Sequence, residues 1–172
     1  MAGPPDGTRP SALAVDASHG REFSVAACWL DGEDAHAEEV WAGTDDGALL
    51  EWLVARAGRR VPVVVDGMSP AASLVPDLKA QRVDVRVTSA GDMAKACGLF
   101  VGEVEARRLS HADQPALADA LEAARKRAIG TAGGWGWNRK DDQTNIAPLV
   151  ALTLARYGAA VTSKARSASF AF

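Results

Sequence analysis

The chain has 172 residues, of which 48% are apolar and 24% are charged, and this is long enough to fold as one domain around a sizeable core. No segment approaches the roughly 18 consecutive apolar residues of a membrane-spanning helix, so the composition predicts a soluble globular protein without membrane contact. The net charge of −3 argues mildly against nucleic-acid binding, but the charges are unevenly distributed. Residues 31–51 contain eight acids and no Lys or Arg, whereas residues 107–140 contain seven bases and three acids.

The first half of the chain predicts a sheet followed by a crossover. Residues 1–10 are rich in Pro and Gly, and we expect them to form a linker or a disordered leader. Apolar runs separated by short turns predict an antiparallel meander, with strands at residues 11–18, 22–30 and 35–43. Apolar residues at helical spacing then predict a helix over residues 49–58, and a valine-rich strand follows at residues 60–67. A helix between two strands is a crossover, so the new strand is expected to run parallel to an earlier one.

The second half predicts four more helices and two more strands. The predicted helices are residues 71–81, 90–108, 113–127 and 145–157, and the predicted strands are residues 83–88 and 132–137. Pro76 predicts a kink or an early end in the first of these helices. Gly158 is expected to end the last helix. Residues 159–172 have no acids and no clear periodicity, so we expect a flexible tail and a folded domain over residues 11–158.

Two of the predicted strands end in a single acid. Asp16 follows a short apolar run, and Asp66 follows three valines and precedes Gly67. Burying an ionised carboxylate in a sheet is costly unless a partner or a metal neutralises it. A meander, a crossover helix and a parallel strand are the layout of a ribonuclease-H-like α/β domain, a mixed sheet flanked by helices in which the first and fourth strands are neighbours. We therefore expect Asp16 and Asp66 to lie together and to bind Mg²⁺ or Mn²⁺ in a two-metal site.

A third metal ligand is expected just before the last helix. The candidates are Asp141, Asp142 and Asn145, and each is equally well explained as a residue that caps the helix. Asp142 is favoured as the anionic ligand because it precedes Asn145 by three residues and would share its face if the helix began one turn earlier. Together with Asp16 and Asp66, Asp142 is the predicted catalytic set.

The basic segment predicts contact with the DNA backbone. Its candidate residues are Arg125, Lys126, Arg127, Arg139 and Lys140, and the alternative is that they are an ordinary solvated face. His19, three residues after Asp16, is a candidate for phosphate contact, although a histidine in a loop is more often only exposed. Cys28 and Cys97 lack the spacing of metal ligands and are predicted to be small buried residues rather than a disulfide.

Residues 133–155, Gly-Gly-Trp-Gly-Trp-Asn-Arg-Lys-Asp-Asp-Gln-Thr-Asn-Ile-Ala-Pro-Leu-Val-Ala-Leu-Thr-Leu-Ala, resemble a block in the nuclease domain of the large terminase subunit of tailed phages. The similarity extends over about residues 11–158. Terminases of actinobacterial phages often have an aspartate directly before Ile-Ser-Pro-Leu-Val-Ala, and here that position is Asn145. An amide oxygen can coordinate a metal but brings no charge.

This resemblance implies a metal-dependent endonuclease that cuts concatemeric viral double-stranded DNA during genome packaging. The expected partners are DNA, an ATPase domain in the full-length protein, the portal and the small terminase subunit, in the host cytoplasm and transiently on the procapsid. The chain has no Gly-x-x-x-x-Gly-Lys-Ser/Thr phosphate loop, so it is expected to be the nuclease half alone. Two alternatives stay open, namely a Holliday-junction resolvase-like nuclease and a catalytically weakened module that binds DNA or assembles the motor.

Overall fold

Six strands form a mixed sheet in this computed structural model, which describes residue 4, residues 7–139 and residues 144–169. The strands are β1 (Ala12–Ala17), β2 (Phe23–Asp31), β3 (Asp34–Gly43), β4 (Val63–Asp66), β5 (Val85–Thr88) and β6 (Leu109–His111). The sheet order is β5-β4-β1-β2-β3-β6. The first three strands are antiparallel neighbours, whereas β4 and β5 run parallel to β1 and β6 runs parallel to β3. The predicted ribonuclease-H-like mixed sheet is confirmed, with β1 beside β4 at its centre.

Within the described residues, five α-helices cover the two faces of the sheet. They are α1 (Asp46–Ala57), α2 (Val75–Ala80), α3 (Ala90–Glu105), α4 (Pro115–Ala123) and α5 (Ala147–Ser169). Helices α1 and α2 pack on one face, against the larger residues of β1 such as Leu13 and Val15. Helices α3, α4 and α5 share the other face with the small residues Ala12 and Ala14. Alternate residues of β1 therefore enter different cores, as the two-residue period of a strand requires.

Helix α5 lies very close to the sheet because small residues meet at the contact. A Cβ atom added to Gly158 would lie 2.5 Å from Cγ2 of Val64 and 3.2 Å from Cβ of Ala12. Gly158 was predicted to end this helix, yet α5 continues to Ser169, so residues 159–169 are helical rather than part of a tail. The glycine is present because the neighbouring strand leaves no room for a side chain.

The basic segment after α4 departs from the predicted helix. Helix α4 ends at Ala123, and a separate antiparallel hairpin is formed by β7 (Lys126–Ile129) and β8 (Gly134–Trp137). The guanidinium of Arg125 donates to the carbonyls of Glu122 and Ala124, at 3.0 and 2.8 Å, and so satisfies acceptors at the end of the helix. Gly130 and Gly133 have φ values of 64° and 83°, a left-handed geometry that glycine adopts without strain and that reverses the chain.

Two smaller differences from the predicted elements concern helices. The predicted helix with Pro76 at its centre is divided into a 3-10 helix (Pro70–Leu74) and α2, in which Pro76 lies in the first turn where its missing N–H is not needed. Helix α3 ends at Glu105, before the predicted end, and strand β6 follows it.

Cys28 and Cys97 are both free and buried, as predicted. Within the described ranges, no helix is both long and apolar enough to cross a membrane.

Candidate metal-binding active site

Asp16 and Asp66 lie together at the C-terminal ends of two neighbouring interior strands of the sheet. Strands β1 and β4 are parallel neighbours, and Val15 pairs with Val65 in their register, so the two acids follow at the same level. Both side chains project towards α5, because they alternate with Val15 and Val65, which enter the core under α1 and α2. Both residues are buried. The two carboxylates that the sequence singled out therefore converge at the centre of the sheet.

A single guanidinium contacts both carboxylates. Nη2 of Arg139 lies 2.7 Å from Oδ1 of Asp16, and Nη1 lies 2.5 Å from Oδ2 of Asp66. The Arg139 side chain is 15% exposed, and its Nε is buried without a hydrogen-bond partner among the described residues. The sequence predicts that Arg139 contacts DNA, and that contact stays a prediction; the structure places its guanidinium between the two acids. This role could not be found from the sequence because the residue lies 123 positions from Asp16 and 73 from Asp66.

Burial and the mutual attraction of opposite charges act against each other in this cluster. Burial raises the pKa of Asp16, and the positive charge of Arg139 and a hydrogen bond from Ser69 offset part of that rise. Burial acts to lower the pKa of Arg139, but the charges of Asp16 and Asp66 outweigh it and hold that pKa above its usual value. Two acids face one base, so the ionised cluster of these three residues carries one uncompensated negative charge. A negative, oxygen-rich, buried pair of this kind is suited to a hard divalent cation.

An open cavity of about 470 Å³ adjoins the cluster. Asp16 and Arg139 form part of its wall, together with His19, Glu22 and Asn145. His19 is exposed in the turn between β1 and β2, as a phosphate-contacting residue would have to be. The cavity gives solvent and ligands a route to the acid pair.

Glu22 is a second acid in the wall of this cavity. In the β1–β2 register Asp16 pairs with Ser24, so Glu22, two residues before Ser24, lies on the same side of the sheet as Asp16. Its Oε2 accepts a hydrogen bond of 3.2 Å from Nδ2 of Asn145. The antiparallel register of β1 and β2 identifies Glu22. This register can be assigned from a sequence only when the length of the turn between the two strands is known.

Asn145 caps helix α5. Its Oδ1 accepts a hydrogen bond of 2.9 Å from the N–H of Ala147, while its Nδ2 donates to Glu22. The other third-ligand candidates, Asp141 and Asp142, lie outside the described residues, as does Lys140. Among the described residues, no group of three or more His, Cys, Asp or Glu side chains is arranged to hold a metal ion.

Three of the other predicted DNA contacts, Arg125, Lys126 and Arg127, lie at or just before the first strand of the hairpin. Lys126 and Arg127 are exposed on β7, and Nζ of Lys126 lies 4.2 Å from the centre of the Trp135 ring. The N–H of Asn138 donates to the carbonyl of Arg125 at 2.8 Å, one residue before Arg139. The hairpin therefore ties the basic residues to the segment that enters the acid cluster.

Several solved structures that are similar to this chain are large terminase nucleases from phages. The nuclease of the large terminase from thermophilic phage G20c matches with a TM-score of 0.62 and 15% identity, over 84% of this chain and 79% of that chain. The same nuclease with bound magnesium matches with a TM-score of 0.58 and 17% identity, over 91% of this chain and 84% of that one. Comparison with protein-family models and with curated proteins gives no match.

A full-length large terminase is also similar to this chain. The large terminase of bacteriophage HK97 matches with a TM-score of 0.70 and 12% identity, over 92% of this chain and 41% of that one. The chain therefore spans about two fifths of that protein. Its fold is that of terminase nuclease domains, a ribonuclease-H-like α/β sheet with helices on both faces.

Proposed function

We propose that the chain is a metal-dependent endonuclease that cuts concatemeric viral double-stranded DNA during genome packaging. The observation that carries the proposal is the convergence of Asp16 and Asp66 at the centre of a sheet with the fold of terminase nucleases. Two hard carboxylates, buried and undercompensated by charge, fit Mg²⁺ or Mn²⁺ and are poorly explained as structural residues.

Asp16 and Asp66 are the proposed ligands of a two-metal site, and Asp142, Asp141 or Asn145 is the proposed third ligand. Divalent ions bound there supply an activated water and stabilise the leaving oxygen of a phosphodiester. Ser69 orients Asp16, because its Oγ accepts the N–H groups of Ala17 and Ala71 and its hydroxyl proton is free to donate to the carboxylate. This anchoring fixes the direction of the Asp16 oxygens.

The proposed DNA contacts are sequence-independent. Arg125, Lys126, Arg127 and Lys140 would bind backbone phosphates beside the cavity, and His19 would bind one at its rim. Arg139 was included in this set by sequence, and in the described structure its charge is already engaged by the acids. The chain would thus bind duplex DNA without reading its bases.

The packaging context is part of the same proposal. HK97 large terminase is more than twice as long as the region matched by this chain, which fits a nuclease that operates with an ATPase domain. The portal, the small terminase subunit and a site of action in the host cytoplasm, transiently on the procapsid, are the corresponding proposed partners and location.

Cleavage of supercoiled plasmid in Mg²⁺, Mn²⁺ or EDTA tests the proposal. We expect cleavage with either ion, none in EDTA and none from Asp16→Asn in any buffer, because the variant removes a ligand charge while preserving the shape of the side chain. Asp31→Asn is the matched control, since Asp31 is exposed at the opposite end of β2 from the cavity, and it should cut like the wild type.

The same assay separates the alternatives. Preferential cutting of a four-way junction over linear duplex would favour a resolvase-like enzyme. Salt-sensitive DNA binding without cleavage in Mn²⁺ would contradict the nuclease proposal and favour a DNA-binding or motor-assembly module.

A further inference from the structure

We propose that Arg139 is a built-in competitor of the divalent metal, a cation that neutralises Asp16 and Asp66 in the metal-free chain and has to leave them when metal binds. This inference rests on the proposed function, since it concerns how the same acid pair is regulated. It assigns to the chain an inactive state in which the acids are held by its own side chain.

The geometry places the guanidinium where a shared metal ion would bind. Arg139 contacts one oxygen of each acid, at 2.7 Å for Asp16 and 2.5 Å for Asp66, so it lies between them. The second oxygen of Asp66, Oδ1, accepts the N–H of Met68 at 3.2 Å. Both oxygens of Asp66 are therefore engaged, and a metal ion that binds Oδ2 has to replace Arg139 or share that oxygen with it.

Electrostatic repulsion favours replacement of Arg139 by the metal over binding of both cations at once. A guanidinium and a dication at the same two carboxylates repel each other at short range, in an interior where that repulsion is only weakly screened. Binding of the metal and binding of Arg139 are therefore coupled unfavourably, and each weakens the other by the same factor. Each acid keeps a cationic partner in either state, so neither state leaves a buried carboxylate unpaired.

The cavity offers space into which the Arg139 side chain can withdraw. Its side chain forms part of the wall of the 470 Å³ cavity, which Asn145 and His19 also line. Its Nε makes no hydrogen bond to any described residue, so within that part of the chain the two ion pairs alone hold the guanidinium in place. Withdrawal into the cavity exchanges those two contacts for water without breaking a wider network.

The test measures metal affinity and metal-free stability rather than cleavage alone. Mn²⁺ is titrated calorimetrically into the wild type, Arg139→Gln, Arg139→Lys and the control Arg59→Gln, and the thermal midpoint of each is recorded in EDTA. Arg59 is a suitable control because it is exposed in the turn before β4. Asp16→Asn identifies the site that is being titrated, since it should lose the Mn²⁺ signal.

We expect Arg139→Gln to bind Mn²⁺ more tightly than the wild type, on the order of tenfold, as typical coupling between two ligands allows. In EDTA its thermal midpoint should fall, because two buried acids then face no cation, and Mn²⁺ should raise that midpoint more than it does in the wild type. Arg139→Lys keeps the charge but not the two-pronged contact, so its Mn²⁺ affinity and its thermal midpoint should lie between those of the wild type and Arg139→Gln. This variant provides the test if Arg139→Gln does not fold without metal.

Two results would overturn the inference in distinguishable ways. If the wild type binds Mn²⁺ and neither Arg139 variant binds it more tightly, Arg139 does not compete with the metal, while the proposed nuclease site stands. If no variant binds Mn²⁺, the acid pair is not a metal site, and the proposed function fails together with the inference.

Discussion

Asn145 joins the cavity to helix α5, and both polar atoms of its side chain are engaged. Its oxygen caps the helix at Ala147 and its amide nitrogen donates to Glu22. The residue thus has a structural role that sequence alone could not separate from metal ligation, because Asp and Asn serve equally well as caps and as ligands.

Replacing Asn145 with Asp distinguishes these two roles. Asp keeps the cap but adds a negative charge next to Glu22, so Asn145→Asp should tighten Mn²⁺ binding, on the order of tenfold given how ligand charge tunes such sites. Asn145→Ser, which caps the helix without adding a charge, is the control and should not tighten Mn²⁺ binding. Calorimetric titration with Mn²⁺ measures both, and equal affinities for the two variants would restrict this position to the helix cap.

Arg139 shows which part of the site the sequence could not provide. Asp16 and Asp66 could be predicted because each is a polar residue at the end of an apolar run, which is a local signal. The function of an arginine depends on what it contacts after folding, and the partners of Arg139 come from two distant strands. Composition therefore classed it with the other bases of the same segment.

At the level of the elements, the sheet was predictable and its last strand was not. Alternating residues and the crossover helix define β1 to β5, because each is long enough to show a pattern. Strand β6 has three residues and pairs with β3 at the far edge, so its identity depends on a contact between distant segments. Residues 125–127 fit a helical pattern locally, but the two left-handed glycines that follow β7 favour a hairpin.

Helix α5 offers an element-level prediction through Gly158. Gly158→Ala should destabilise the protein by roughly 1–3 kcal/mol, because its Cβ would overlap Val64 and push the helix away from the sheet. Gly98→Ala in α3 is the matched control, since a Cβ there meets no described atom within 4 Å and alanine is favoured over glycine in a helix by about 1 kcal/mol. Urea unfolding should show opposite signs for the two variants, and equal signs would contradict the close approach.

Across the whole molecule, opposite charges are concentrated in different segments. The acids of residues 31–51 belong to the β2–β3 hairpin and the start of α1, whereas the bases of residues 125–127 precede or lie on β7. The basic group is linked by a backbone hydrogen bond to the segment that carries Arg139. The net charge of −3 therefore gives a misleading average, because the segment that contains the hairpin is locally positive.

Charge reversal on the hairpin tests this arrangement. Changing Arg125, Lys126 and Arg127 together to Glu should weaken binding to unrelated duplexes by similar factors, because phosphate contacts carry no sequence information. The slope of log affinity against log salt should become shallower by roughly 0.9 for each phosphate that the variant no longer neutralises.

Fluorescence anisotropy in EDTA over a range of salt concentrations measures this slope without cleavage. The control reverses Arg59 and Arg60, two exposed bases in the turn before β4 that are not part of the hairpin. The control variant also makes the molecule more negative. A loss of DNA affinity shared by both variants therefore reports only general repulsion between protein and DNA. A specific decrease of the slope in the hairpin variant identifies β7 as the DNA-contacting edge, whereas an unchanged slope would mean that its bases are only a solvated surface.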